Sequence, residues 1–227
     1  MNDRARDLTK WREWLKRIDG EITTVWLSRE VWKSVVTLLE NNLAIPPSHF
    51  FDQMSGWYAQ SQAIAVRRQA ETRLRWNVVS MGALLEDMKN HAAVLTRTWF
   101  LSQYGAELRH LAERDFEGIA GGGQEYIPTH VMDTDLQRLA AATAPIKKYV
   151  DKQVAHSDPL PRRDLPTFED LDSAIDLLGE LLQKYVLILQ AVNRNPIAPV
   201  PQYDWLAPFR VPWIASDSDA RGSLARK

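Results

Sequence analysis

Titratable side chains crowd together at 147–159, where a helical pattern ends just before a proline-rich break. The stretch reads KKYVDKQVAHSDP. On a helix, Tyr149, Lys152 and His156 share one side, whereas Val150 lies on the core side. If the chain carries a reactive site, the sequence places it here.

His156 is the side chain of this stretch that titrates near neutral pH, and it lies in the last turn of the predicted helix. The helix dipole favours a protonated imidazole there, and Asp158, two residues further on, is able to orient the ring. A histidine so placed can act as a general acid or base. The alternative is that His156 and Asp158 cap the helix C-terminus, which the residues alone favour.

Several other kinds of site are excluded or unsupported. The chain has no cysteine, which excludes disulfides, thiolate metal sites and a cysteine nucleophile. No GxSxG element is present, and the glycine triplet at 121–123 follows a helical pattern, so it predicts a loop rather than a phosphate cradle. The remaining histidines show no metal-ligand spacing: His49, His91, His110 and His130. We therefore expect neither a metal nor a cofactor.

Composition limits the partners and the location. The 28 basic and 29 acidic residues leave a formal net charge of −1, so nucleic-acid binding requires a local basic patch. The N-terminus is charged and lacks the apolar core of a signal peptide, and no apolar run of about 18 residues is present. With no cysteine in addition, we expect a cytoplasmic protein without a membrane span.

Apolar residues at steps of three and four predict an all-α fold, a bundle of about five to seven helices, and no strand pattern is present. Tryptophans are numerous, nine in all, and most lie on these helical stripes, which favours core anchors over base stacking. The predicted helices are 5–43 (one helix or two), 54–71, 81–88, 97–117, a helix from Asp133 or Thr134 to about Asp158 with Pro145 inside, and a helix from a Thr167–Asp170 capping box to about Asn193.

The chain divides into a helical bundle at 1–195 and a C-terminal segment at 196–227. Five prolines interleave with aromatic residues over 196–214, which predicts an extended arm whose aromatics dock on the bundle or on a partner. Residues 215–227 are predicted to be disordered.

Two arginines near the end of the predicted second helix are further candidates. Arg67 and Glu71 are spaced i,i+4, which predicts a surface ion pair. The alternative is that Arg67 or Arg68 turns inward to a site or an anion.

Several segments together suggest a family. They are WY at 57–58 followed by AIAVRR at 63–68, VSM at 79–81 leading to LLED at 84–87, YVDKQVAH at 149–156, DL at 170–171 followed by Tyr185, and DW at 204–205 leading to PFRVPW at 208–213. In their order and spacing, from about residue 50 to 214, they resemble the AbiU2-like branch of the HEPN superfamily, small helical proteins linked to abortive infection and other bacterial defence.

The resemblance implies an up-and-down helical bundle that forms a homodimer and binds RNA in a cleft between the subunits. HEPN ribonucleases work without a metal. Their motif is an arginine, usually followed by a polar residue, with four to six residues before a histidine. Histidine moves the proton as a ribose 2′-hydroxyl attacks the adjacent phosphate, and arginine stabilises the developing charge.

This chain matches the motif in part. His156 holds the histidine place and Asp151 the polar place, but Val150 stands where the arginine is expected. Valine carries no charge and donates no hydrogen bond, so either cleavage is lost or another cation serves. The nearest cations in sequence are Lys148 and Lys152.

The resulting prediction is a HEPN-like bacterial defence protein that binds or cleaves RNA at a dimer cleft with a degenerate motif. The alternative is a non-catalytic homodimer or interaction module that binds a protein or a nucleotide. The catalytic candidates are His156, Asp151 and Lys152; the RNA-binding candidates are Lys148, Tyr149, Arg67 and Arg68, the last two reaching the motif from another helix.

Overall fold

A computed structural model describes residues 3–42, 46, 48–74, 78–154, 165–197 and 203–211. The regular elements of these residues are all helical, which confirms the predicted all-α bundle. The α-helices are α1 Asp3–Glu40, α2 His49–Gln69, α3 Met81–Asn90, α4 Arg97–Leu101, α5 Arg109–Ala120, α6 Thr129–Tyr149 and α7 Phe168–Gln190. A π turn, Val150–Val154, continues α6 directly.

α1 is one helix of 38 residues, which decides between the two alternatives that the sequence left open. It continues through Gly20 because apolar side chains at steps of three and four remain buried on both sides of the glycine, and this burial outweighs the low helix propensity of one residue. The buried apolar side chains of α1 are Leu8, Trp11, Leu15, Ile18, Ile22, Val25 and Val35.

α7 lies at the centre and packs on both α1 and α6. Its start is the predicted capping box: the Asp170 N–H donates to Thr167 Oγ1 at 3.1 Å, and the Thr167 N–H donates to Asp170 Oδ2 at 2.8 Å. A buried polar contact fixes α7 against α6, since the Tyr185 hydroxyl donates to Asp135 Oδ2 at 2.8 Å. Burial, and then the Asp135 carboxylate, raise the pKa of Tyr185 well above its ordinary value.

The single helix predicted at 97–117 is wrong. α4 ends at Leu101, and α5 begins at Arg109 after a 3₁₀ turn. On one straight helix, Phe100 and Phe116 would stand about 24 Å apart. Both rings are buried with their centroids 5.6 Å apart, so the chain must fold back between them.

The start of α6 also differs from the prediction. The helix begins at Thr129, one turn before Asp133 and Thr134, because Val131 and Met132 are already buried in its first turn. It runs without a break through Pro145. The glycine triplet before it lies in a loop, and Gly121 has a φ of 90°, a conformation that favours glycine.

Most of the described tryptophans pack as the sequence predicts. Trp11 is fully buried, and Trp14, Trp26 and Trp99 are packed against the core. Trp57 on α2 is the exception, since its side chain is exposed. Two other tryptophans, at 76 and 213, lie outside the described residues.

The described part of the C-terminal segment contains a 3₁₀ turn, Ala207–Arg210. Leu206 lies next to the end of α1, where it borders a surface cleft with Thr37 and Leu38. The predicted disordered residues at 215–227 lie outside the described residues. No helix among the described residues has the length and apolar character needed to cross a bilayer.

A close approach between α3 and the end of α2 sets the position of Glu71. The Ala83 N–H donates to Ser80 Oγ at 3.1 Å, and the Ser80 hydroxyl donates to the Glu71 carbonyl at 2.5 Å. A Cβ on Gly82 would stand only 2.7 Å from the same carbonyl oxygen. Glycine at this position therefore allows α3 to lie against the backbone of Glu71.

We expect Gly82→Ala to lower the free energy of unfolding by about 1–3 kcal/mol, because the added methyl group meets backbone rather than a movable side chain. Gly20→Ala is the matched control. Nothing lies within 4 Å of a Cβ added at Gly20, so this change should raise stability by about 0.5–1 kcal/mol. Urea unfolding of both variants checks the prediction, and a stabilising effect of Gly82→Ala would contradict it.

Candidate functional site

The C-terminal ends of α2 and α6 meet at an ion pair. Arg67 Nε donates to Asp151 Oδ1 at 3.0 Å, and Arg67 Nη1 donates to Glu71 Oε2 at 3.4 Å. Arg67 thus makes the i,i+4 pair that its spacing predicts and also reaches the motif stretch from another helix. The structure brings Arg67 and Asp151 together although they are 84 positions apart in sequence.

Val150 cannot be replaced by a cation without a cost to the core. Its side chain is 6% exposed and belongs to the main apolar cluster, as the helical pattern predicts. The π turn begins at this residue, and such turns are often found at functional sites. An arginine at position 150 would point into the core, whereas Arg67 approaches from outside it.

Four further cations lie near the helix ends that form the Arg67–Asp151 contact, and together with Arg67 we call them the basic patch: Arg67, Arg73, Lys147, Lys148 and Lys152. The lysines lie on the surface at the end of α6 and in the π turn. The C-terminal dipoles of α2 and α6 favour positive charge at this position. Among the described residues of this patch, five cations outnumber two carboxylates, Asp151 and Glu71, although the chain as a whole has a net charge of −1.

Glu71 remains ionised within the patch. Partial burial opposes its ionisation, but the hydrogen bond from the Arg73 N–H and the charges of Arg73, Arg67 and Lys147 hold the pKa of Glu71 below its ordinary value. The Arg73 N–H lies 3.1 Å from Glu71 Oε1. Glu71 therefore anchors these cations at neutral pH and releases them only in acid.

Arg68 does not join the basic patch. It follows Arg67 by one residue and so points about 100° away around α2. Its Nε donates to Glu21 Oε2 of α1 at 3.1 Å. Arg68 therefore holds α2 to α1, and the structure separates it from the other predicted RNA-binding residues.

An apolar cavity of about 160 Å³ lies beside the basic patch, between α2, α6 and the start of α7. Ala63 lines the cavity one helical turn before Arg67, and Tyr149 lines it two residues before Asp151. The complete lining is Ala59, Ala63, Ile146, Tyr149, Leu165, Pro166, Thr167, Phe168 and Leu171. Tyr149, a predicted RNA-binding residue, is thus placed on the cavity rather than on the ion pair.

Three aromatic rings from three helices stack next to this cavity. The Trp32 and Tyr58 centroids are 5.0 Å apart with planes at 15°, and the Tyr58 and Phe168 centroids are 6.2 Å apart at 14°. Burial, and then the charge of Asp172, raise the pKa of Tyr58 to about 12. Tyr58 therefore stays neutral within the stack, and Phe168 forms the end of the stack that borders the cavity.

Not every predicted site residue falls within the described part of the chain. His156 and Asp158 are outside the described residues. His49 and Asp52 form an exposed contact of 3.6 Å, and His91 Nδ1 lies 2.9 Å from the Asp87 carbonyl. The described part of the chain holds no cluster of histidine and acidic side chains arranged to bind a metal ion.

The sequence reasoning missed the cavity, Phe168 and Arg73. Ala59 and Ala63 are small residues spaced i,i+4. Two small side chains one turn apart leave a depression on one face of α2, and this is the signal in the sequence. Phe168 is an apolar residue in the first turn of α7, where the other early residues are polar. Neither signal shows which other helices pack against these residues.

Comparison with family models, with curated proteins and with solved structures finds no match for this chain. The role of the site is therefore argued from its geometry.

We expect Val150→Arg to lower the free energy of unfolding by about 2–4 kcal/mol, because its buried position must desolvate the guanidinium or open the π turn. Lys152→Arg, on the exposed side of the same turn, is the matched control and should change stability little. Thermal and urea unfolding measure both variants. Wild-type stability of Val150→Arg would show that position 150 can present a cation to the surface.

Proposed function

We propose that this chain is a HEPN-like RNA-binding protein of bacterial defence that holds RNA phosphates on the basic patch. The observation that carries the proposal is the contact of 3.0 Å between Arg67 and Asp151. It brings an arginine to the segment 147–159, in which the buried Val150 occupies the position where the HEPN motif has its arginine.

Arg67 is suited to phosphate because its guanidinium is oriented and only partly engaged by the described residues. Asp151 and Glu71 engage Nε and Nη1, and among the described residues Nη2 makes no hydrogen bond. A guanidinium presents its N–H groups in a planar fork that matches phosphate oxygens, and each such charge-assisted bond is stronger than a neutral one. The lysines of the basic patch add the non-directional attraction that RNA binding requires.

Cleavage, in this proposal, follows from the same arrangement. The ribose 2′-oxygen attacks the adjacent phosphorus, the bond to the 5′-oxygen breaks, and a cyclic phosphate and a 5′-hydroxyl result. His156 takes the proton of the 2′-hydroxyl or delivers one to the leaving oxygen. Arg67 stabilises the charge on the phosphate oxygens, with Asp151 orienting it and Lys152 adding positive charge.

We expect Arg67→Ala to weaken the binding of a labelled single-stranded RNA by about tenfold, as the loss of one charge-assisted phosphate contact implies. The log–log salt dependence of binding should also become shallower by about one. The matched control is Arg109→Ala, because Arg109 pairs with Glu113 at i,i+4 as Arg67 does with Glu71. Fluorescence anisotropy at several salt concentrations measures these effects.

His156→Ala separates binding from cleavage in the same assay. It should retain RNA affinity and lose the cleavage products on a gel. Equal cleavage by wild type and His156→Ala would remove the catalytic part of the proposal. Equal RNA affinity of Arg67→Ala and Arg109→Ala would remove the part played by Arg67.

A homodimer that serves as a non-catalytic interaction module is the second candidate function, and one face of α2 favours it. Phe50, Trp57 and Ile64 recur at steps of seven and are 54%, 60% and 42% exposed. Trp57 and Ile64 lie within a run of 14 residues, 53–66, that has no charged side chain, and Phe50 lies three residues before it. An uncharged stripe with a central tryptophan is typical of an interface.

Two copies of α2 packed antiparallel about a two-fold axis at Trp57 would cover this stripe, because Phe50 and Ile64 are equally far from Trp57. We expect the wild type to be a dimer at micromolar concentration and Trp57→Glu to be a monomer, since the change places charge at the axis. Leu108→Glu, at an exposed apolar residue outside α2, is the control and should remain dimeric. Sedimentation velocity measures all three, and a monomeric wild type would contradict the proposal.

A further inference from the structure

The cavity beside the basic patch has the size of one flat ring. Its volume is about 160 Å³, and its lining side chains carry no charge. An engineered apolar cavity of about 150 Å³ in another protein binds benzene. The cavity therefore suits a single six-membered ring better than a fused pair of rings.

Phe168 gives this cavity an aromatic wall. Its ring is nearly parallel to that of Tyr58 at a centroid distance of 6.2 Å, and the residue is 48% exposed, so part of the ring remains accessible. The rings of Trp32, Tyr58 and Phe168 are nearly parallel. A further flat ring on Phe168 would extend the stack, and bases bind proteins through such stacking on aromatic side chains.

Positive charge lies immediately beyond the apolar cavity. Ala63 in the lining precedes Arg67 by four residues, about 6 Å along the helix axis. Ile146 in the lining precedes Lys147 by one residue. A ligand that fills both places must join a flat ring to an anion at short range, and each nucleotide unit of RNA does so.

We propose that the cavity binds one unpaired base of single-stranded RNA, stacked on Phe168, while the adjoining phosphate lies on Arg67. This proposal rests on the RNA binding proposed above and adds the form of RNA that is bound. A base in a duplex cannot enter the cavity, so the ligand is single-stranded at this position.

The test compares two RNA probes by fluorescence anisotropy: a ten-nucleotide uridine strand and the same strand with abasic sugars at every position. The two probes carry the same phosphate charges, but only the uridine strand carries bases. We expect wild type to bind the abasic strand about tenfold more weakly. Phe168→Ala should lower the affinity for the uridine strand by about tenfold and leave the abasic strand unchanged.

Two further variants make the result specific. Ala59→Leu fills the cavity without touching the basic patch and should mimic Phe168→Ala. Tyr126→Ala removes an aromatic side chain of similar exposure between α5 and α6 and should bind both strands as wild type does. Circular dichroism confirms that each variant is folded.

The outcomes separate the two proposals. If wild type binds neither strand, the RNA function itself fails, and the base site fails with it. If wild type binds both strands equally, or Phe168→Ala behaves as Tyr126→Ala does, the base site is overturned while RNA binding stands. If both strands bind equally but an acidic tyrosine-containing peptide binds in a way that Phe168→Ala abolishes, the cavity belongs to a protein partner and the base site is overturned.

Discussion

The contact between Arg67 and Asp151 is the constraint on which the rest of the site depends. Its side chains are 32% and 43% exposed, and ion pairs so accessible to water contribute only about 0–1 kcal/mol to stability. Its effect is to orient a guanidinium. Asp151 reaches Arg67 from the π turn, and Glu71 holds the same guanidinium from the other side because α3 packs closely on its backbone.

The contact also explains how a buried valine and a site for an anion coexist. Position 150 faces the core, where an unpaired cation would be costly, so the arginine at this place comes from α2. α2 then carries two distinct surfaces. Ala59 and Ala63 lie on the face of α2 opposite to Trp57, so a dimer formed through Phe50, Trp57 and Ile64 leaves the cavity open.

Much of the bundle can be predicted from sequence because helical periodicity is a local signal. Helical periodicity predicts the inward position of Val150, and the residue types at 167 and 170 predict the capping box. Periodicity cannot show a reversal of direction, so the stripe that contains Phe100 and Phe116 predicts one helix. The Arg67–Asp151 contact and the stack ending at Phe168 join residues far apart in sequence, and only the packing of α2, α6 and α7 brings them together.

Amide hydrogen exchange of the full chain, with and without saturating single-stranded uridine RNA, tests the central claim most directly. The account predicts slower exchange in the C-terminal half of α2 and at the C-terminal end of α6, with α4 and α5 unchanged. Unchanged exchange in α2 and α6, or slower exchange confined to α4 and α5, would contradict it.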